Sequence, residues 1–194
     1  MGSFTEDQVE DVLARIIAPT LRELSLRGID FRGVLYAGLM MSAHGPQLLE
    51  YNVRFGDPET EVLAPLYGEA LYGLLARTAS GQLVDESPRA IGAAVGVVLA
   101  SAGYPHDPRG GDVIEGLGPD GQLAEHRDNV IIFHAGTSRD DQGRFVTSGG
   151  RVLCVTALGE SVEVARQRVY EAASLITFAG SVRRSDIALL ASQE

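Results

Sequence analysis

Two kinds of segment alternate in this sequence, and together they predict an α+β protein. Apolar residues recur with a 3.6-residue period over 5–27, 58–79 and 160–178. By contrast 31–41, 47–55, 93–101, 129–137 and 145–159 are short, apolar and bounded by Gly, Pro and Asp, as strands are. A third observation is the polar, turn-rich stretch "SGQLVDESPR" (80–89), which divides the chain into domains 1–83 and 84–194. The first is expected as helix, β-hairpin, helix. The second is expected as a small antiparallel-sheet α+β domain with a covering helix.

The first helix places Val9, Val12, Leu13, Ile16, Ile17, Leu21 and Leu24 along one side. Thr5 and Gln8 have capping-box spacing at its start, and Gly28 suits its end. Pro19 should kink or divide it, because proline has no N–H and its ring crowds the preceding turn. "FRGVLYAGLMM" (31–41) and 47–55 then form a hairpin through the turn "SAHGP". Asp57 is placed to cap the next helix, with Pro58 at its first position and Glu59 and Glu61 at its positive end. Pro65 argues for a break in that helix. In the second domain, Val162, Ala165, Val169, Ala172, Ala173 and Ile176 line one side of the covering helix.

Composition narrows the function classes. The chain is 45% hydrophobic and 22% charged, normal for a globular protein. Its net charge of −10 repels phosphate backbones, which argues against nucleic acid as a partner. No apolar run approaches the ~18 residues of a membrane span, and the first twenty residues are acidic rather than signal-like. The single Cys154 cannot form an internal disulfide and fits a reducing, cytoplasmic setting. All 16 basic residues are arginine. A P-loop needs its lysine, so a nucleotide site here must be partial, or must use arginine and metal.

The stretch "LLEYNVRFGDPET" (48–60) carries the densest chemistry. On an extended strand, Leu48, Glu50, Asn52 and Arg54 share one face, and Leu49, Tyr51, Val53 and Phe55 share the other. The apolar set is expected to face the core. A carboxylate and a carboxamide oxygen two residues apart form a hard-oxygen pair. Mg²⁺ takes one or two such ligands and leaves its other positions to phosphates and water. Arg54 can grip a carboxylate or phosphate bidentately. Polar-out alternation is equally what a half-wet sheet edge shows, and spacing does not separate the two.

Other reactive residues have simpler readings. His134 is expected as a satisfied core or loop histidine, since no orienting acid lies near it in sequence. His44, His106 and His126 lack metal-ligand spacing and are expected at the surface. Cys154 is expected in the core, and Met40 and Met41 in packing.

"FRGVLYAGLM" followed by "LLEYNVRFGDPET" closely resembles the end of the ATP-grasp core in the phosphoribosylamine–glycine ligase (glycinamide ribonucleotide synthetase) family. "VVLASAGYP", "VIIFHAGT", "VTSGGRVLCVTALGES", "ARQRVYEA" and "RRSDIA" resemble successive blocks of that family's C-terminal domain, in the same order. The likeness runs from about residue 10 to residue 188. It implies the C-terminal portion of an ATP-grasp domain followed by the family's small α+β domain. It also implies ligation of glycine to 5-phosphoribosylamine in purine biosynthesis, with ATP as co-substrate and a glycyl phosphate between. The Glu-aromatic-Asn-x-Arg block maps the Mg²⁺ (or Mn²⁺) ligands onto Glu50 and Asn52. Arg54 is the expected catalytic and substrate-orienting residue, with Asp57 and Glu59 beside the substrates. Capping remains an equal role for Asp57. Gly149, Gly150 and Arg151 are expected to bring backbone close to a substrate phosphate or another domain, with a tight turn or bulge as the rival.

The sequence departs from the family in extent. The N-terminal α/β domain, the first part of the ATP-grasp domain and its lid have no counterpart here, and neither do the lysines that hold ATP phosphates. The chain therefore reads as the C-terminal part of the ligase, inactive alone and partnered by the missing half. Two alternatives stay open: another ATP-grasp carboxylate–amine ligase, or a non-catalytic remnant that binds a partner.

Overall fold

The computed structural model describes residues 5–83 and 88–189. The chain forms two compact units, Met1–Asp57 with Gly68–Arg89, and Pro58–Tyr67 with Ala90–Glu194. Part of the predicted boundary, 84–87, lies outside the described residues. The expected cut at 83/84 kept the whole helix after the GDPE turn in the first domain. Its first half instead counts with the second unit, because it packs on that unit's sheet.

In the first unit, α1 (Glu6–Val12) starts with the expected capping box. The Gln8 N–H donates to Thr5 Oγ1 (3.3 Å), and the Thr5 N–H donates to Gln8 Oε1 (3.0 Å). The proline expected to divide the helix acts one turn earlier. Residues Leu13–Ile17 widen into a π-helical turn, the Ala18 N–H reaches back to the Leu13 carbonyl, and α2 (Ala18–Leu26) follows. Gly28, at φ +73°, closes α2. Its N–H donates to the Ser25 carbonyl and that of Ile29 to Leu24, the paired bonds of a Schellman stop.

Strands β1 (Tyr36–Ser42) and β2 (Gly45–Asn52) pair antiparallel. Leu39 pairs with Leu48 but Gly38 pairs with Glu50, so Leu49 is an extra, bulged residue. A bulge resets the alternation, which corrects the expected face: Leu48 and Glu50 lie on opposite sides of the hairpin. The expected core side is also corrected, since Leu49 is 65% and Val53 72% exposed. Beyond α3 (Glu59–Tyr67) of the second unit, the helix breaks at Gly68 (φ +51°) rather than at Pro65, and α4 (Glu69–Ser80) belongs to the first unit. Among the described residues of the first unit only Pro46 and Gly56 are buried. This unit has no core of its own.

The second unit holds the core. Strands β3 (Ala93–Ala100), β4 (Val130–His134) and β7 (Arg151–Gly159) form an antiparallel sheet in the order β3-β7-β4. β5 (Thr137–Arg139) and β6 (Phe145–Thr147) form a separate two-stranded ribbon. The two long strands predicted over 129–137 and 145–159 are therefore each cut in two, at Ala135-Gly136 and at Ser148–Gly150. Close backbone approach explains both cuts. A Cβ on Gly136 would lie 2.7 Å from Gly149 Cα, and one on Gly150 would lie 2.5 Å from the Tyr104 ring.

β7 is buried from Val152 to Ala157 because helices cover both sheet faces. The covering helix α5 (Val162–Ser174) is capped by Ser161 and buries Ala165, Val169, Ala172 and Ala173. On the other face, α3 (Glu59–Tyr67) sets Val62 against Gly96, where a Cβ would come within 2.8 Å of Val62 Cγ2. The "RRSDIA" tail is tied to α5. Arg166 donates to the carbonyls of Ser185 and Ile187, and Tyr170 Oη donates to that of Arg184. The Arg184 guanidinium hydrogen-bonded to Asp186 holds that carboxyl below its ordinary range. No helix among the described residues is long and apolar enough to cross a membrane.

Two predictions follow from this packing. Leu153→Ala, at a fully buried position, should destabilise the sheet-bearing unit by about 2–5 kcal/mol, whereas Leu49→Ala should change its denaturant midpoint negligibly. Gly150→Ala should cost about 1–3 kcal/mol in the ligand-free chain, because the added methyl meets the Tyr104 ring. An unchanged unfolding midpoint for that variant would show that the ring yields and that packing does not require glycine there.

Candidate functional site

Within the first unit, the last turn of β2 brings Glu50 and Asn52 together. Asn52 Nδ2 donates to Glu50 Oε1 at 3.2 Å, so the two side chains lie on one side of the strand. Glu50 is exposed and Asn52 half-buried. The opposing residue is Gly38, where a Cβ would sit 3.2 Å from Glu50 Cγ and press on the carboxylate arm. Gly38 was not singled out from sequence, although an isolated glycine inside the apolar run "LYAGLM" signals close approach or a bulge. Both occur here.

Arg54 is not on the strand. β2 ends at Asn52, the chain bends through Val53 and Arg54, and Arg54 Nη1 donates to the Phe55 carbonyl at 2.8 Å. The predicted row of three polar residues is thus a pair on the strand and an arginine in the bend after it. Asp57 is the last residue of this stretch of the first unit, and Glu59 is the first helical residue of α3 in the second. Gly149 and Gly150 form the turn into β7 that Arg151 opens. The Gly150 carbonyl accepts from the Ser101 N–H (2.8 Å) and that of Arg151 from the Gly136 N–H (2.8 Å).

Of the remaining reactive side chains, His134 is satisfied locally. His134 bonds Thr137 Oγ1 through Nδ1 and the Gly121 carbonyl through Nε2, both at 2.8 Å. A carbonyl only accepts, so Nε2 carries a proton and this histidine pins a loop. Cys154 is buried on the central strand. His44, His106 and His126 are exposed.

The donor set can be tested against a divalent cation. Among the described residues no group of three or more His, Cys, Asp and Glu is gathered that could hold a metal by itself. Glu50 and Asn52 supply one carboxylate and one carboxamide, and the Asn52 amide can turn over to offer Oδ1 where Nδ2 now lies. Two such oxygens do not make an all-protein Ca²⁺ cage. They do match Mg²⁺, which keeps water and phosphate oxygens in most of its positions. The residues fit a shared cation.

The chain resembles known proteins along nearly its whole length. Residues 94–190 match the family described as "Phosphoribosylglycinamide synthetase, C domain", and residues 1–60 match its ATP-grasp (A) domain. The chain is 40% identical to phosphoribosylamine–glycine ligase of Caulobacter vibrioides, covering 98% of this chain and 44% of that protein. It is 43% identical to the ligase of Streptomyces coelicolor, covering 93% of this chain and 43% of the relative. It thus spans less than half the length of these relatives. The crystal structure of phosphoribosylamine–glycine ligase from Thermotoga maritima superposes with a TM-score of 0.81 at 38% identity, over 96% of this chain and 44% of the other. A biotin carboxylase domain from Hydrogenobacter thermophilus shares the fold alone, at TM-score 0.59 and 16% identity over 93% of this chain and 38% of that one. With both parts matched in order by one family's A and C domains, this chain belongs to the phosphoribosylglycinamide synthetase family.

Proposed function

We propose that this chain carries the cation-binding and substrate-facing elements of an ATP-dependent ligase. The reaction joins glycine to 5-phosphoribosylamine and yields glycinamide ribonucleotide, ADP and phosphate. The observation that carries this reading is the Glu50–Asn52 pair on one side of β2, directly ahead of the "RFGDPE" turn, in a chain of this family. In this reading Glu50 and Asn52 hold Mg²⁺ or Mn²⁺. Such a cation would supply charge neutralisation for phosphoryl transfer from ATP to the glycine carboxylate. Arg54 orients an anion: a guanidinium has five N–H donors in a fixed fork, suited to a carboxylate or phosphate. Asp57 holds the turn and Glu59 stands beside the substrates. In the second unit, Gly149, Gly150 and Arg151 are the residues proposed to bring backbone close to a substrate phosphate. The glycyl phosphate is then attacked by the amine of phosphoribosylamine.

The same reading assigns the chain a partner, the half of the ligase that its relatives carry and this match does not reach. Two features support that. There is no lysine to hold nucleotide phosphates. The coreless first unit also exposes Leu13, Leu26, Leu49, Val53 and Tyr72, the last three at 65%, 72% and 78%. A hairpin-bearing unit that leaves such side chains in solvent is marginal without further packing.

The test is reconstitution. Alone, the chain should give no glycinamide ribonucleotide. Mixed with the separately made N-terminal half of a relative, it should release ADP only when both glycine and phosphoribosylamine are supplied. In that mixture Glu50→Gln should raise the Mg²⁺ requirement and cut turnover by about tenfold or more. A folded, associated but inert mixture would sink the ligase reading. Wild-type kinetics from the glutamine variant would remove Glu50 from the site.

A further inference from the structure

Tyr51 lies between Glu50 and Asn52 in β2, and its side chain points to the opposite side of the strand. Its hydroxyl donates to the Ile16 carbonyl at 2.8 Å and has Thr20 Oγ1 as a second neighbour, also at 2.8 Å. With one proton on each hydroxyl, Tyr51 and Thr20 share two protons among these contacts. Thr20 Oγ1 is itself 3.1 Å from the Ile16 carbonyl, which closes a three-membered cluster. The acceptor sits inside the π-helical turn Leu13–Ile17, just ahead of Pro19. Such turns present backbone carbonyls irregularly and recur at functional sites.

The strand around Tyr51 is otherwise loosely held. Leu49 is bulged and exposed, Val53 is exposed, and among the described residues β2 pairs with β1 alone. Rotation of β2 about its own axis would swing Glu50 and Asn52 together, and hydrophobic packing on the far side does little to oppose it. The tyrosine tether does oppose it. We propose that Tyr51 is a positioning residue for the Glu50–Asn52 pair: by fastening β2 to the π-turn of the first helix, it fixes the direction in which the two oxygens meet a divalent cation. The proposal rests on the cation reading of Glu50 and Asn52 given above.

The experiment titrates Mn²⁺ alone into the full chain and follows paramagnetic broadening of the Glu50–Asn52 amides and the Asn52 side-chain NH₂ signal. The wild-type chain should broaden at these positions saturably, and Glu50→Gln should abolish the local response. Tyr51→Phe, which keeps the ring and loses the tether, should need about threefold to tenfold more Mn²⁺, the equivalent of one hydrogen bond. Thr20→Val, which spares the bond from Tyr51 to Ile16, should shift the midpoint in the same direction by less. Leu48→Ala lies on the same strand away from the tether and should leave it unchanged. Thermal midpoints measured alongside separate a loosened pair from an unfolded one. Wild-type Mn²⁺ midpoints for both Tyr51→Phe and Thr20→Val, with Glu50→Gln silent, would overturn the positioning role and spare the cation site. A Leu48→Ala shift equal to that of Tyr51→Phe would also overturn it, as general loosening of the hairpin. No local response in the wild-type chain would overturn the site and the positioning role together.

Discussion

The packing of Val62 on Gly96 is the contact that seats α3 on the sheet of the second unit. Glycine at this position of β3 leaves the depression into which α3 settles, since a Cβ there would stand 2.8 Å from the valine methyl. α3 begins at Glu59, two residues after Asp57. The "RFGDPE" turn therefore has its downstream end built into a helix that is fastened to the sheet. With α5 covering the other face, the same packing makes β7 a strand buried on both sides, which explains its unbroken run of buried residues from Val152 to Ala157.

The cation pair proposed on β2 would be an incomplete ligand set. One carboxylate and one carboxamide leave a divalent cation most of its charge and most of its coordination positions, which suits an ion shared with phosphates rather than one held for structure. The lack of lysine sharpens this. Positive charge for a nucleotide must come from arginine, from the cation, or from another polypeptide, and the net charge of −10 offers no general attraction for anions. The exposed apolar side chains of the first unit point the same way, since a two-stranded hairpin is marginal without further packing.

Much of the local structure was legible because it depends on near neighbours in sequence. The capping box at Thr5 and Gln8, the stop at Gly28, the hairpin turn and the covering helix all rest on side chains within a few residues of one another. The adjacency of Glu50 and Asn52 belongs here too, because a two-residue interval on a strand survives whatever the strand packs against. Continuity of an element is less legible, because breaks depend on distant contacts. Strict alternation was carried through 48–55, yet the bulge at Leu49 and the strand end at Asn52 move Leu48 to the other face and Arg54 into a bend. Likewise 145–159 read as one strand, and the backbone-on-backbone approach of Gly136 and Gly149 divides it.

The sequence by itself determined the α+β class, the order of helices and strands, the family, and the carboxylate–carboxamide pair, because each is encoded in period, spacing or motif. Tertiary structure alone decided which unit owns α3, where the alternation resets, and that the Tyr51 hydroxyl closes on the Ile16 carbonyl 35 residues away. The physical reason is range. Bulges, breaks and tethers are set by steric and hydrogen-bonding demands of residues far apart in the chain, and no local pattern records which of them will meet.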